Sequence, residues 1–522
     1  MNRKSFATLF FVLVSALPWA LPSARPSDIK TSSGMVSGVA TSDGAVVSFK
    51  GIPYAAPPVG KLRWRAPQPT APWKGTLKAD HFGASCIQGP NNEILPWTKE
   101  FMYVTPISED CLFLNIWAPS AAAGARHPVL VFIHGGAFTS GSGDVPVYDG
   151  ESLARTGMVI VTINYRVGPL GFLAHPLLTA ESEHHSSGNY GLLDQVAALQ
   201  WVKQNIRAFG GDPAHVAVAG QSADAMSVAD LVASPFGRGL FSAAIADSGI
   251  GGRGVPMMTL AEAEKDGAGF AATKKADSLD ALRALPASQF VVQGMRFAPV
   301  VDGWILPDNP MTLTTSHGAD NDVPVITGFQ ANDSMLGGPR ATTAAQFQSR
   351  ARQVYGSMAD EYLKLYPATS DEEAKQSQAD SGRDRLRAGM YIWASKRAET
   401  HKSRIYTYYF DRAVPWPAHP EFGAFHTGEI PYAFGNLGKL DRPWEPVDHT
   451  ISKMMMTYWK NMSATGDPNG ASVPRWAAVD PGKPAVMRLG ATCEPIPPAD
   501  SAKLDFWKRY FASPQSKSAG PF

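Results

Sequence analysis

A serine two residues after a glycine, set between a strand-like run and a helix-like run, is the arrangement in this sequence that could do chemistry. Val216, Ala217, Val218 and Ala219 are small or β-branched. Gly220, Gln221 and Ser222 follow, and Ala225 to Ala229 is helix-permissive. The pattern reads as strand, sharp turn, helix, with the Ser222 hydroxyl projecting above a sheet from a strained backbone. Gly220 lets neighbouring backbone come close to that turn. A serine hydroxyl alone is a poor nucleophile. Attack on a carbonyl needs a base to take its proton, an acid to orient the base, and N–H donors for the oxyanion. The turn departs from the Gly-x-Ser-x-Gly pattern at its last position, which is Asp224. A side chain there must point away or push the helix. A carboxylate close to Ser222 would disfavour oxyanion formation by like-charge repulsion.

Bulk composition narrows the setting. A chain of 522 residues exceeds one ordinary compact core and by length alone suggests roughly two to four domains, large α/β enzymes being the exception. With 44% hydrophobic and 18% charged residues the chain is globular with a large core. A formal net charge of +1 points to neither nucleic acid nor an acidic membrane surface as partner. The N-terminus has a basic start, Asn2-Arg3-Lys4, then a mostly apolar stretch from Phe6 to Ala16, then small residues and prolines to Ala24. That is the pattern of a secretory signal peptide over 1–24, too short to span a bilayer comfortably. No later segment reaches membrane-spanning length without charges. The three cysteines are Cys86, Cys111 and Cys493; an exported chain can hold disulfides, and their pairing is open at this level.

The elements that must hold the serine turn can be read along the chain. Residues 34–55 look like a starting hairpin running into Gly51-Ile52-Pro53-Tyr54, and Ser108-Glu109-Asp110-Cys111 leads into the strand-like Leu112 to Trp117. Val129 to Ile133 is a buried strand ending in His134-Gly135-Gly136-Ala137-Phe138. Val159 to Ile163 is another, ending in Asn164-Tyr165-Arg166. A helix from Tyr190 through Ile206, closed by Phe209-Gly210-Gly211-Asp212-Pro213, feeds the nucleophile strand. Apolar runs ending in Gly-rich turns and separated by helices predict a mostly parallel sheet covered on both faces, with ligands beyond the carboxyl ends of its strands. The more polar segments 254–322 and 337–400, with helices near Leu260, Asp280, Ala344 and Asp371, are expected to form cap elements around the pocket. These motifs, from about Gly34 to about Phe506, resemble the type-B carboxylesterase family of the α/β-hydrolases, which includes the cholinesterases. The resemblance implies an α/β-hydrolase fold with helical cap insertions, one catalytic domain over 25–522, and a disulfide between Cys86 and Cys111 that leaves Cys493 over.

The resemblance also assigns the remaining parts of an acyl-transfer site, in the chain order Ser, acid, His. The acid is Asp333, in the loop after the strand Val323 to Phe329. The family usually has glutamate there, one methylene longer. The base is His426, in Phe425-His426-Thr427-Gly428-Glu429-Ile430-Pro431-Tyr432, which matches the family's histidine loop. A near-neutral imidazole suits transfer of the serine proton to a leaving alcohol. The oxyanion donors are expected to be the backbone N–H groups of Gly135, Gly136 and Ala223. Gln221 stands where the family often has glutamate, and Ser248 matches a second family serine near the site; both, with Asp224, are expected around the reacting groups. Arg166 and Asp302 match motif positions with structural roles. No set of His, Cys and acidic residues has metal-ligand spacing, and the reaction requires no cofactor. The expectation is an exported serine esterase acting on a small-molecule carboxylic ester, of xenobiotic or toxin type. A non-catalytic cholinesterase-like binding module and a lipase acting at lipid interfaces stand beside it. Neither the individual ester nor the oligomeric state is written in the sequence.

Overall fold

A computed structural model describes residues 28–120, 124–249, 257–292, 297–334 and 342–518. The expected signal peptide over 1–24 lies outside the described residues.

Strands rich in Val, Ile, Ala and aromatic residues assemble into an 11-stranded sheet. In chain order they are β1 (Val39–Ala40), β2 (Val46–Pro53), β3 (Phe113–Pro119), β4 (His127–Ile133), β5 (Val159–Ile163), β6 (Gly211–Gln221), β7 (Ala243–Asp247), β8 (Val325–Gln330), β9 (Ile405–Phe410), β10 (Val486–Leu489) and β11 (Cys493–Ile496). Their order across the sheet is β11-β10-β9-β8-β7-β6-β4-β5-β3-β2-β1. Neighbours from β5 across to β10 run parallel, while β1, β2, β3 and β11 pair antiparallel at the two edges. Four of the parallel strands are buried along their whole length: β5, β7, β8 and β9 have no exposed residue. Such strands read as continuous apolar runs because helices cover both faces.

The expected starting hairpin is only partly one element. Val39 and Ala40 pair with β2, but Met35–Ser37 turns away to pair with Asp28–Lys30 and Thr76–Lys78 in a separate small sheet. Gly38 lies at the divide, pressed against the Phe49 ring, which a Cβ at position 38 would approach to 2.6 Å.

Alternate residues of each central strand feed different cores. Val129, Val131, Ile133, Val216 and Val218 join one with helices α1 (Tyr190–Asn205) and α2 (Ala223–Ala233). The opposite face gathers Leu130, Phe132, Ala217 and Ala219 with Ile451, Met455 and Trp459 of the helix Pro446–Thr465. The helices between α2 and that helix, α6, come from the two polar segments: α3 (Leu260–Thr273), α4 (Ala344–Tyr355) and α5 (Asp371–Thr400). The long helix α5 does more than cap a pocket. It lies along β8 and β9, and Leu386, Ala388, Met390 and Tyr391 join Phe329 and Tyr409 in a third core, closed by α7 (Ser501–Ala512). The polar composition of α5 reflects mostly its outer surface, although Asp384 and Arg397 are buried with its apolar residues.

Register decides where the chemistry can sit. Gln221 of β6 pairs with Asp247 of β7, and Asp247 with Gly328 of β8. Ile133 of β4 pairs with Gly220. The residues just beyond this row, at the carboxyl ends of adjacent parallel strands, are His134 to Gly136, Ser222, Ser248 and the loop that carries Asp333. Among the described residues no helix is long and apolar enough to cross a membrane.

Candidate active site

Ser222 closes β6 and opens α2 with φ 65° and ψ −126°, a backbone conformation that side-chain-bearing residues rarely adopt. The surroundings hold it there. The Ser222 N–H donates to the Asp247 carbonyl at 2.8 Å, extending the sheet by one rung, and its carbonyl accepts from the Ala225 N–H at 3.1 Å as the helix begins. The turn is so tight that a Cβ at Gly220 would lie 2.5 Å from the Asp224 carbonyl oxygen. Glycine is required there by space.

The two sequence-distant partners meet this serine. His426 Nε2 lies 2.7 Å from Ser222 Oγ, and His426 Nδ1 lies 2.7 Å from Asp333 Oδ1. Asp333 is fully buried and His426 nearly so. A carboxylate can only accept, so Nδ1 carries the proton and Nε2 offers its lone pair to the serine hydroxyl. The second Asp333 oxygen accepts from Ser248 Oγ at 2.5 Å and from the Gln330 N–H at 3.3 Å. Ser248, itself at φ 64°, thus fixes the carboxylate plane from behind. The acid loop and the histidine loop are also tied directly. The Asn332 N–H donates to the Ala424 carbonyl, and the Ala424 N–H to Asn332 Oδ1, both at 3.0 Å.

Gln221 takes part more closely than its motif position suggested. Its Nε2 lies 3.2 Å from His426 Nε2, and its Oε1 accepts from Thr427 Oγ1 at 3.3 Å. The glycine loop comes equally close: a Cβ at Gly135 would stand 3.5 Å from Ser222 Cβ. Gly136 has φ 130°, and a Cβ on it would sit 2.1 Å from the Ser140 carbonyl oxygen. The N–H groups of Gly136 and Ala223 donate to no acceptor among the described residues, whereas the Gly135 N–H is turned toward the Tyr148 hydroxyl. Next in the loop, Ala137 and Phe138 also have left-handed φ values of 56° and 60°. Before it, His134 stacks on Tyr165, and burial lowers its pKa to about 4, so it is neutral.

Asp224 faces away from the reacting atoms. It is fully buried in α2, where Ser227 Oγ donates to it at 3.3 Å and the Tyr165 hydroxyl lies alongside. Burial pushes its carboxyl well above the ordinary range, only partly offset by those two hydroxyls. Burial therefore favours its protonated, uncharged form. A pair of buried acids, Asp247 and Glu429, sits behind Asp333. Burial raises both, and each disfavours ionisation of the other. Tyr408 donates to Asp247 at 2.8 Å. Glu429 lies in the histidine motif and Asp247 directly precedes the motif serine Ser248, but that the two acids meet could be seen only in the fold. Arg166 and Asp302 are structural: Arg166 is buried in a bidentate pair with Asp194, and Asp302 accepts three backbone N–H groups and Ser186.

A disulfide joins Cys86 and Cys111, the pairing that the resemblance implied, and Cys493 is free and half-buried. The loop it closes packs on the histidine loop, with Phe101 against Phe425 and Trp97 against His426.

Comparison with known proteins places the chain in a family. The carboxylesterase family model matches residues 25–507. The fumonisin B1 esterase of Sphingopyxis macrogoltabida is 35% identical, covering 91% of this chain and 89% of its own. The para-nitrobenzyl esterase of Bacillus subtilis is 34% identical, over 86% of this chain and 92% of its own. The bile salt-activated lipase of Mus musculus is 31% identical, over 89% and 83%. With its sheet, its helices and this similarity along nearly its whole length, the chain belongs to the carboxylesterase family of α/β-hydrolases and is a carboxylic ester hydrolase.

Proposed function

We propose that the protein is an exported serine esterase that works through an acyl-enzyme. The observation that carries this reading is the relay Ser222–His426–Asp333, with 2.7 Å contacts on both sides of the imidazole. Ser222 Oγ attacks the ester carbonyl while His426 Nε2 takes its proton. The imidazolium that forms is stabilised by Asp333, and its proton then passes to the leaving alkoxide. Water repeats the sequence on the acyl-enzyme, and the serine is restored. The oxyanion is met by the N–H groups of Gly136 and Ala223, with Gly135 in the same loop. One such donor is worth about 3–4 kcal/mol in the transition state.

Export is supported by the N-terminal basic-apolar-small pattern and by a disulfide, which persists in oxidising compartments. The substrate class is small carboxylic esters of xenobiotic or toxin type, in keeping with the likeness to a fumonisin B1 esterase and a para-nitrobenzyl esterase. A second reading, a lipase acting at lipid interfaces, is favoured by one feature. Ile94 and Val104, 66% and 58% exposed, stand on the disulfide loop beside the site.

The test is hydrolysis of p-nitrophenyl esters by the mature protein. The proposal expects turnover of soluble short-chain esters and a loss of about 10^6-fold in kcat for Ser222→Ala. A sharp rise in rate when a long-chain ester passes its micellar concentration selects the lipase. Absence of turnover on short and long esters alike would favour a non-catalytic binding module.

A further inference from the structure

Thr427, the residue after the histidine, has φ 79°. For a β-branched side chain this is a true outlier, and it persists only where neighbours hold it. Two neighbours do. The Trp97 indole N–H is shared between the His426 carbonyl at 3.2 Å and Thr427 Oγ1 at 3.3 Å. Thr427 Oγ1 in turn donates to Gln221 Oε1, and Gln221 Nε2 reaches the His426 ring. The Trp97 ring stands edge-on to the imidazole with centroids 6.3 Å apart. Trp97 thus grips the backbone on which His426 is mounted, from a loop pinned by the Cys86–Cys111 bridge.

We propose that Trp97 is a positioning residue for ester hydrolysis: its indole N–H holds the strained 426–427 backbone so that the imidazole stays aligned between Ser222 and Asp333. The inference rests on the serine-esterase reading. It makes the disulfide loop part of the catalytic framework, since Trp97 acts only while that loop is seated.

The test compares the parent, Trp97→Phe, Thr427→Gly and the double variant. Phenylalanine keeps an aromatic ring and removes the donor. Glycine adopts the left-handed conformation without strain and needs no grip. Trp97→Phe is expected to lower kcat about tenfold with KM little changed, the scale of a modest misalignment. In the Thr427→Gly background the same change should lower kcat less than about twofold, a coupling that a merely packing role would not give. The downfield proton resonance of the Asp333–His426 hydrogen bond, read in the same variants, should broaden in Trp97→Phe alone. This signal needs no turnover, so it reports on the grip even if the esterase reading fails. An unchanged kcat and resonance in Trp97→Phe would overturn the proposal, as would equal losses in both backgrounds or a change confined to KM. A parent without turnover on any ester would contradict the esterase reading instead.

Discussion

Asp333 and Asp224 show how one kind of carboxyl takes opposite roles according to what surrounds it. Asp333 accepts from Ser248, from the Gln330 N–H and from His426, which suits an ion whose task is to hold one imidazole tautomer. Asp333→Asn would still fill the site, but its amide can donate to Nδ1 and so favours the wrong tautomer. It should lower kcat by about 10^4-fold with little change in KM or Tm, measurable in ester hydrolysis beside a thermal melt. Asp224 has two hydroxyl partners and another buried acid, Asp230, nearby, and its burial favours the protonated form. Its folded pKa lies above its unfolded value, so the folded chain holds a proton that the unfolded chain releases above about pH 4. Stability therefore falls as pH rises from there, by up to about 1.4 kcal/mol per pH unit from this group, until the folded group titrates. Asp224→Asn removes this dependence. Its Tm should match the parent near about pH 4 and exceed it near about pH 8. A difference that does not grow with pH would mean that Asp224 is ionised in the fold. The sequence marked Asp224 as a break in the elbow, but its burial against Tyr165 could not be read there. Tyr165, which faces it, comes from the end of a different strand.

Among the elements, the glycine loop after β4 and the disulfide loop make separate predictions. The first is built by left-handed backbone at Gly136, Ala137 and Phe138 in succession. Gly136→Ala has to displace the Ser140 carbonyl, so the loop and its N–H groups shift together. The expected loss is about 10^2- to 10^3-fold in kcat with Ser222 still reactive toward a small phosphonylating reagent. An unaltered kcat would exclude Gly136 as a donor. The second loop is closed by Cys86–Cys111, with a sequence separation of 25. Replacing both cysteines by serine should cost roughly 3 kcal/mol in denaturant unfolding, mostly by freeing the unfolded chain. Because Trp97 rides on this loop, kcat should fall as well, well below the unfolding midpoint. The motifs on β4, β6 and the histidine loop were legible because each is a short local signal whose residues act where they stand. The grip of Trp97 on His426 was not, since it joins residues 329 positions apart through an indole that belongs to no motif. The same distance effect hid the sheet-covering role of α5, whose composition alone reads as a solvated helix.

At the scale of the molecule, the sheet brings distant stretches of chain to one edge. β4, β6, β7 and β8 are neighbours, and the loops leaving their carboxyl ends bear the glycine pair, Ser222, Ser248 and Asp333. β9 leads into the segment that returns His426 over that edge. A parallel α/β architecture was readable from apolar runs ending in Gly-rich turns. Strand order and the splitting of the first hairpin were not, because both are set by which surfaces pack rather than by local pattern. The central claim, that these elements converge to make Ser222 an acyl-accepting nucleophile, can be tested most directly by mass spectrometry of protein quenched during hydrolysis of a slowly deacylating ester. The account predicts one acyl group per chain, on the peptide that contains Ser222, and no adduct or turnover in Ser222→Ala. Steady turnover with Ser222 unmodified, or an active Ser222→Ala protein, would contradict it.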